Sequence, residues 1–221
     1  MNSEERKRFC LQILTSFDWL AHYCTSMENK LPAEIDAWYI DESKLPLSMN
    51  PEEARREATR EFRREESRNF SRSLRYSFVV LLFLTTENQL NRVCDALRVE
   101  RGFPIGARDL RGASAIDRCK NYLTKVEGVQ LGDMKPWRRM KDLQEIRNCI
   151  VHEGGRVNDL DAPKVAKLKK FIETEKGVSI GGSGADSDEI GMLLIKPEFC
   201  QNFAEDAKTL FNDLFVATKL L

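Results

Sequence analysis

From Ser3 onward the chain sets apolar residues at helical spacing, with Phe9, Ile13, Phe17, Leu20 and Cys24 recurring every turn. Ser3 offers a cap and Glu4 and Glu5 place carboxylates in the first turn, so a helix is predicted to about Met27. Residues 31–50 carry two prolines and no steady period, which predicts an irregular connection anchored by Trp38 and Tyr39. Asn50, Pro51, Glu52 and Glu53 then form a helix start. No proline or glycine follows until Gly102, which allows a helix of about fifty residues, with a break weighed near 69–73. Its first half is charged, with Phe62 and Phe70 as the few apolar points. The second half, 74–97, is apolar on most of its circumference, so it is the expected core helix while the first half projects or packs at an edge.

Further along, 113–126 forms a short amphipathic pattern ended by Gly128. Asp133 and Pro136 open a helix that Gly154 and Gly155 close, and Asp161 and Pro163 start a basic helix through about Thr174. The pattern then changes to two short apolar runs, "VSI" and "EIGMLLI", separated by the turn-rich "GGSGADSD", which predicts a β-hairpin. That loop lacks a following G-K-[ST] and reads as a turn rather than a nucleotide cradle. Pro197 begins a last helix on which Phe199, Phe203, Ala207, Leu210, Leu214 and Ala217 share a face. The expected fold class is all-α, a helical bundle with a small β-hairpin before the C-terminal helix, without internal repeats. A chain of 221 residues can build this around one core.

Composition narrows the chemistry. Lysine plus arginine equals aspartate plus glutamate at 35 each, so no overall field draws the chain to nucleic acid or an anionic membrane, and an anionic partner needs a local patch. Six cysteines lie far apart without a C-x-x-C pair, and two histidines cannot complete a usual zinc set, so neither metal nor other cofactor is expected. Reduced, buried thiols of a cytoplasmic protein are the simpler expectation. The charged "MNSEERKRF" is unlike a signal peptide, and the longest apolar run, "FVVLLFL", is too short to span a bilayer, so no membrane partner is expected.

One stretch concentrates candidate chemistry. "EIRNCIVHEGG", residues 145–155, holds Arg147, Asn148 and one of the two histidines, His152, at the end of a helix. Asn148 and His152 share a face, whereas Arg147 lies some 140° from His152 around the axis and converges with it only if the last turn loosens. An imidazole titrates near pH 6.5 when unperturbed and moves protons well at neutral pH, and a guanidinium offers forked donors to a phosphate. The set suits attack on a phosphodiester by the RNA 2'-hydroxyl without a metal. Acid and base are both needed, His22 has no polar partner nearby in sequence, and so a catalytic reading predicts a homodimer with a doubled segment. A plainer reading stands beside it: His152 interacting with the helix dipole, Gly154 as the cap, Arg147 paired on the surface, and Cys149 packing inside.

The R-N-C-I-V-H segment, with its polar residue directly after the arginine, resembles the signature of the HEPN superfamily. "FLTTENQLNRVCDAL", 83–97, resembles that family's other central helix, on which Glu87 is the residue pointing to the motif or, alternatively, an interhelical hydrogen-bond partner. The resemblance covers roughly 74 to the C-terminus. It divides the chain into 1–50, an N-terminal helix and irregular connection, and 51–221, a HEPN-like helical domain with 51–73 as elaboration, the whole forming one compact unit. It implies a metal-independent endoribonuclease of bacterial defence, toxin–antitoxin or abortive-infection type, dimeric through the motif-bearing helix, with Arg147, His152, Asn148 and Glu87 as its catalytic set and an antitoxin or regulatory protein as a possible partner. The alternative within the family is a non-catalytic scaffold or sensor that binds nucleic acid, a nucleotide or a protein. Members paired with a nucleotidyltransferase antitoxin carry a tyrosine two residues after the histidine. Gly154 stands there, so control by that modification is not expected. For RNA, residues 134–170 hold ten lysines and arginines against five acids, with Arg138, Arg139, Lys141 and Arg156 as the expected contacts. The charged run 52–75 nearly balances arginine with glutamate and reads as a solvated helix.

Overall fold

The computed structural model describes residues 1–36, 51–182 and 189–221. Among these it has six α-helices and one antiparallel hairpin: α1 (Ser3–Asp36), α2 (Pro51–Arg101), α3 (Ala115–Lys125), α4 (Lys135–Glu153), α5 (Ala162–Thr174), β1 (Val178–Ile180), β2 (Leu193–Ile195) and α6 (Pro197–Ala217). This is the all-α bundle with a hairpin before the last helix that the apolar periods predict. Trp38, Tyr39 and residues 183–188 of the hairpin loop lie outside the described residues.

The helix ends follow local chemistry, with some departures from expectation. The cap of α1 is Asn2 rather than Ser3: Asn2 Oδ1 accepts from Glu5 N at 2.9 Å, and Glu5 Oε2 accepts from Asn2 N at 2.7 Å, a reciprocal capping box. Beyond Met27, α1 continues through 31–36, and Glu28, just past the expected end, pairs with Arg75 of α2. And α4 begins at Lys135, with Pro136 in its first turn and Met134 at the cap. Asp133 belongs instead to a single 3-10 turn, Leu131–Asp133. Asp161 starts α5 as expected, accepting from Lys164 N, while α3 begins two residues later than its pattern suggests, with Ser114 as its cap accepting from Asp117 N.

Helix α2 runs unbroken for 51 residues. At the suspected break, Asn69 Oδ1 accepts from Arg72 Nη2 at 2.7 Å, so its side chain bonds along the helix instead of competing with the backbone. The second half of α2 supplies buried Phe78, Val79, Leu82, Phe83, Leu90 and Val93 to a core shared with α1 and α6, where Phe17 and Phe211 stack at 5.3 Å. Each such fully buried side chain contributes about 1.5–3 kcal/mol. All six cysteines are buried free thiols. Among the described residues no helix is long and apolar enough to cross a membrane.

The hairpin positions the segment that follows α4. Val178 pairs with Ile195 and Ile180 with Leu193. Leu193 N donates to Gly155 O at 2.8 Å, Val157 N to Gly191 O at 2.9 Å, and the Tyr76 hydroxyl to Leu193 O at 2.5 Å. The turn after α4 is thereby tied to both the hairpin and α2.

Candidate functional site

The last two turns of α4 bury Ile146, Cys149 and Ile150 and leave the opposite arc open. Gly154 ends the helix in the left-handed region at φ 60°, and Gly155 follows at φ 85° with its N–H donating to Cys149 O at 3.0 Å. The helix keeps its α geometry through Glu153, so the loosening that would swing Arg147 toward His152 does not occur.

Asn148 and His152, one turn apart, line a cleft of about 140 Å³ between α4 and α5, closed on the far side by Leu160, Lys164 and Leu168. His152 is exposed. Lys164 lies across from it, its ammonium 2.6 Å from Asp161 Oδ2, and Lys167 bonds Glu145 at 2.5 Å at the rim. Cys149 also borders the cleft, but burial pushes its thiol up to about 11, which keeps it protonated and suits packing rather than attack.

Arg147 takes the other side. Its guanidinium carbon lies 5.6 Å from the Phe83 ring centroid, Nη1 donates to Asn148 Oδ1 at 3.0 Å, and Nε is buried without a hydrogen-bond partner. Glu87 on α2 shares this side. Burial pushes its carboxyl above the usual range, and Arg147 and Arg118 of α3 pull it part of the way back. The motif residues therefore fall into two groups, Asn148 with His152 and Arg147 with Glu87, bridged by the Arg147–Asn148 hydrogen bond. Around the helix, Val151 falls between Arg147 and His152 and is 45 % exposed.

The expected RNA contacts divide likewise. Arg138 and Arg156 are exposed, and Arg138 lies on the arc of α4 that carries His152. Arg139 is half-buried and already engaged: it is bonded by Glu175 and Asp206, which raise its already high pKa. Lys141 is engaged by Asp117 Oδ1 at 2.7 Å. These two tie α4 to its neighbours, a role their positions in a basic tract did not reveal. Lys164, which only counted toward that basic excess, and Phe83, which reads as ordinary core, gain their relation to the motif from packing alone. Among the described residues no three His, Cys, Asp or Glu side chains converge so as to hold a metal ion.

Compared with known proteins, the chain matches no family model, no curated protein and no solved structure.

Proposed function

We propose that the chain is a metal-independent endoribonuclease of the HEPN type, acting as a homodimer through α4 and the adjoining face of α2. The observation that carries this reading is the split of the motif around Val151. An exposed imidazole with an amide beside it lies on one side and a cation stacked on an aromatic ring on the other, so a second copy is needed to bring both kinds of group to one phosphate. An apolar surface suited to that contact adjoins the split. Leu81 and Leu84, 42 % and 41 % exposed, share a shallow hollow with Ile150, and Val151 continues it.

In the proposed reaction the RNA 2'-oxygen attacks the adjacent phosphorus. Its proton passes to one imidazole, the P–O5' bond breaks, and the leaving 5'-oxygen takes a proton from the second imidazole. The products are a 2',3'-cyclic phosphate and a 5'-hydroxyl. His152 from each copy moves the protons, Arg147 stabilises charge on the phosphate, and Asn148 orients Arg147 through the bond it accepts. Glu87 supports Arg147, and Arg138, Arg156 and Lys164 line the approach of the RNA backbone. The resemblance extends the proposal to a setting of defence or growth control with a neutralising or regulatory protein partner.

The test is RNA cleavage with EDTA present, comparing the parent with His152→Ala. A proton-transfer residue is worth roughly 10²–10⁴-fold, so the variant should lose at least about 100-fold while the parent yields cyclic phosphate ends. Equal rates from a folded variant reject the role of His152. One observation favours the second reading, a non-catalytic scaffold or sensor: Arg147 is half-buried and already engaged by Phe83 and Asn148. A parent dimer that binds RNA and leaves it intact would select that reading.

A further inference from the structure

We infer, resting on the ribonuclease reading, that the cleft between α4 and α5 seats an RNA base and that guanine is the base it fits, so that cleavage falls beside a guanosine. Glu145, Asn148 and His152 stand at i, i+3 and i+7 on α4 and form one stripe along this cleft, whose volume is about 140 Å³. At a rise of 1.5 Å per residue Asn148 and His152 are about 6 Å apart along the axis. That leaves room for a ribose between a base held at Glu145 and Asn148 and a phosphate held at His152.

The walls of the cleft suit a base better than a phosphate. Among the described residues that line it, Lys164 is the one lysine or arginine, and its ammonium is bonded to Asp161 Oδ2 at 2.6 Å. Lys167, at the rim, is bonded to Glu145 at 2.5 Å. Both lysines are therefore matched by a carboxylate, and a phosphate inside the cleft would meet no spare lysine or arginine there. The floor is apolar, formed by Leu160, Leu168 and the Cys149 thiol, which stays protonated. An apolar floor with a few fixed polar groups is the lining of a small-molecule pocket. Pockets for drug-sized ligands begin at roughly 300 Å³, and a cleft of about half that volume holds one base rather than a whole nucleotide.

The polar groups select among the bases. A guanidinium can only donate, so the bond from Arg147 Nη1 fixes Asn148 with Oδ1 toward the arginine and leaves Nδ2 as its donor. Glu145 gives Oε1 to Lys167 and keeps Oε2 as an acceptor. One turn of α4 thus offers the cleft a donor beside an anionic acceptor. The Watson–Crick edge of guanine is the complement, with O6 accepting and N1–H and N2–H donating next to it. Adenine and cytosine each set a ring nitrogen's lone pair beside their one amino group, and uracil flanks its one N–H with two oxygens. In each of these the carboxylate is brought against a lone pair, which costs free energy instead of gaining a hydrogen bond.

The test is titration calorimetry of the full chain with the 3'-monophosphates of guanosine, adenosine, cytidine and uridine, which share a phosphate and differ only in the base. The parent should bind the guanosine nucleotide at one per chain and at least about tenfold more tightly than the other three. Glu145→Gln exchanges an acceptor oxygen for a donor amide and gives up only a half-exposed ion pair with Lys167, so it should remove that preference while Tm stays near the parental value. Leu160→Trp, which fills the cleft from its half-buried wall, should weaken binding of the guanosine nucleotide by about tenfold or more. Four nucleotides bound alike, none bound at millimolar concentration, or a guanosine preference unchanged in both variants overturns the base site. Because the readout is binding, the two readings fail separately. A guanosine preference that Glu145→Gln removes stands even where no RNA is cleaved, whereas cleavage that needs His152 but ignores the neighbouring base keeps the ribonuclease and overturns this site.

Discussion

Arg147 and His152 stand five residues apart on α4, yet one is packed and the other open. Arg147 lies over Phe83, bonds Asn148 and shares its side of the helix with Glu87, so its charge sits in a half-buried, pre-oriented position. His152 faces a cleft with solvent on one side and Lys164 across from it. The former cannot rotate about 140° around a helix that stays regular to Glu153 without giving up Phe83 and Asn148. Residues close in sequence are therefore held on different sides of one helix, and the proposed dimer is what would bring the two kinds of group to one phosphate.

The sharpest way to break this contrast is a mixed dimer. Co-expressing the parent with an equal amount of His152→Ala leaves a quarter of the dimers with both imidazoles, so cleavage should fall to roughly a quarter of that given by the parent alone at the same total chain. A fall only to about half would place every group of a site within one chain.

Next in size is the turn that holds the two sides in register. Gly155 adopts φ 85°, and a Cβ there would run into the Tyr76 hydroxyl, which is itself bonded to Leu193 O. Gly155→Ala should cost roughly 2–4 kcal/mol from backbone strain and overpacking together. Gly154→Ala, with φ 60° and nothing within 4 Å of the added carbon, should cost only about 1 kcal/mol of strain. Urea denaturation of the two variants checks this, and equal losses would mean that Tyr76 does not pin the turn.

The smallest effect concerns Glu87. Burial raises its folded pKa, so the protonated form is the one the fold favours. The stability this contributes is complete below the unfolded carboxylate range and is lost as pH rises through the folded pKa. Glu87→Gln should accordingly raise Tm slightly at neutral pH, with the difference vanishing in acid. A Tm that falls at neutral pH instead would show the carboxylate stabilising the packed side through Arg147 and Arg118.

Much of the architecture could be read from the chain itself. The helical period, the glycine and proline punctuation and the hairpin signal place α2 to α6, because these depend on contacts within a few residues. The capping of α1 by Asn2 and its extension to Asp36 were less legible. The first is a choice between adjacent cap-forming residues, and the second runs through a stretch with a proline and no steady apolar period, which local pattern reads as irregular. Of the candidate site, the sequence showed which residue types share the end of α4, and the helix period already put Arg147 and His152 on different sides.

What the chain by itself determined is the inventory: a bundle, a motif of arginine, asparagine and histidine before two glycines, and an excess of basic residues around it. Only the tertiary structure decided how that inventory is used. It set Arg147 over a core phenylalanine, spent Arg139 and Lys141 on intramolecular ion pairs, left His152 and Arg138 open, and gathered Glu145, Asn148 and Leu168 around one cleft. The physical reason is that helix formation and capping are satisfied within a turn or two of chain. Burial and charge pairing depend instead on which distant helix arrives beside a residue, and no local pattern encodes that.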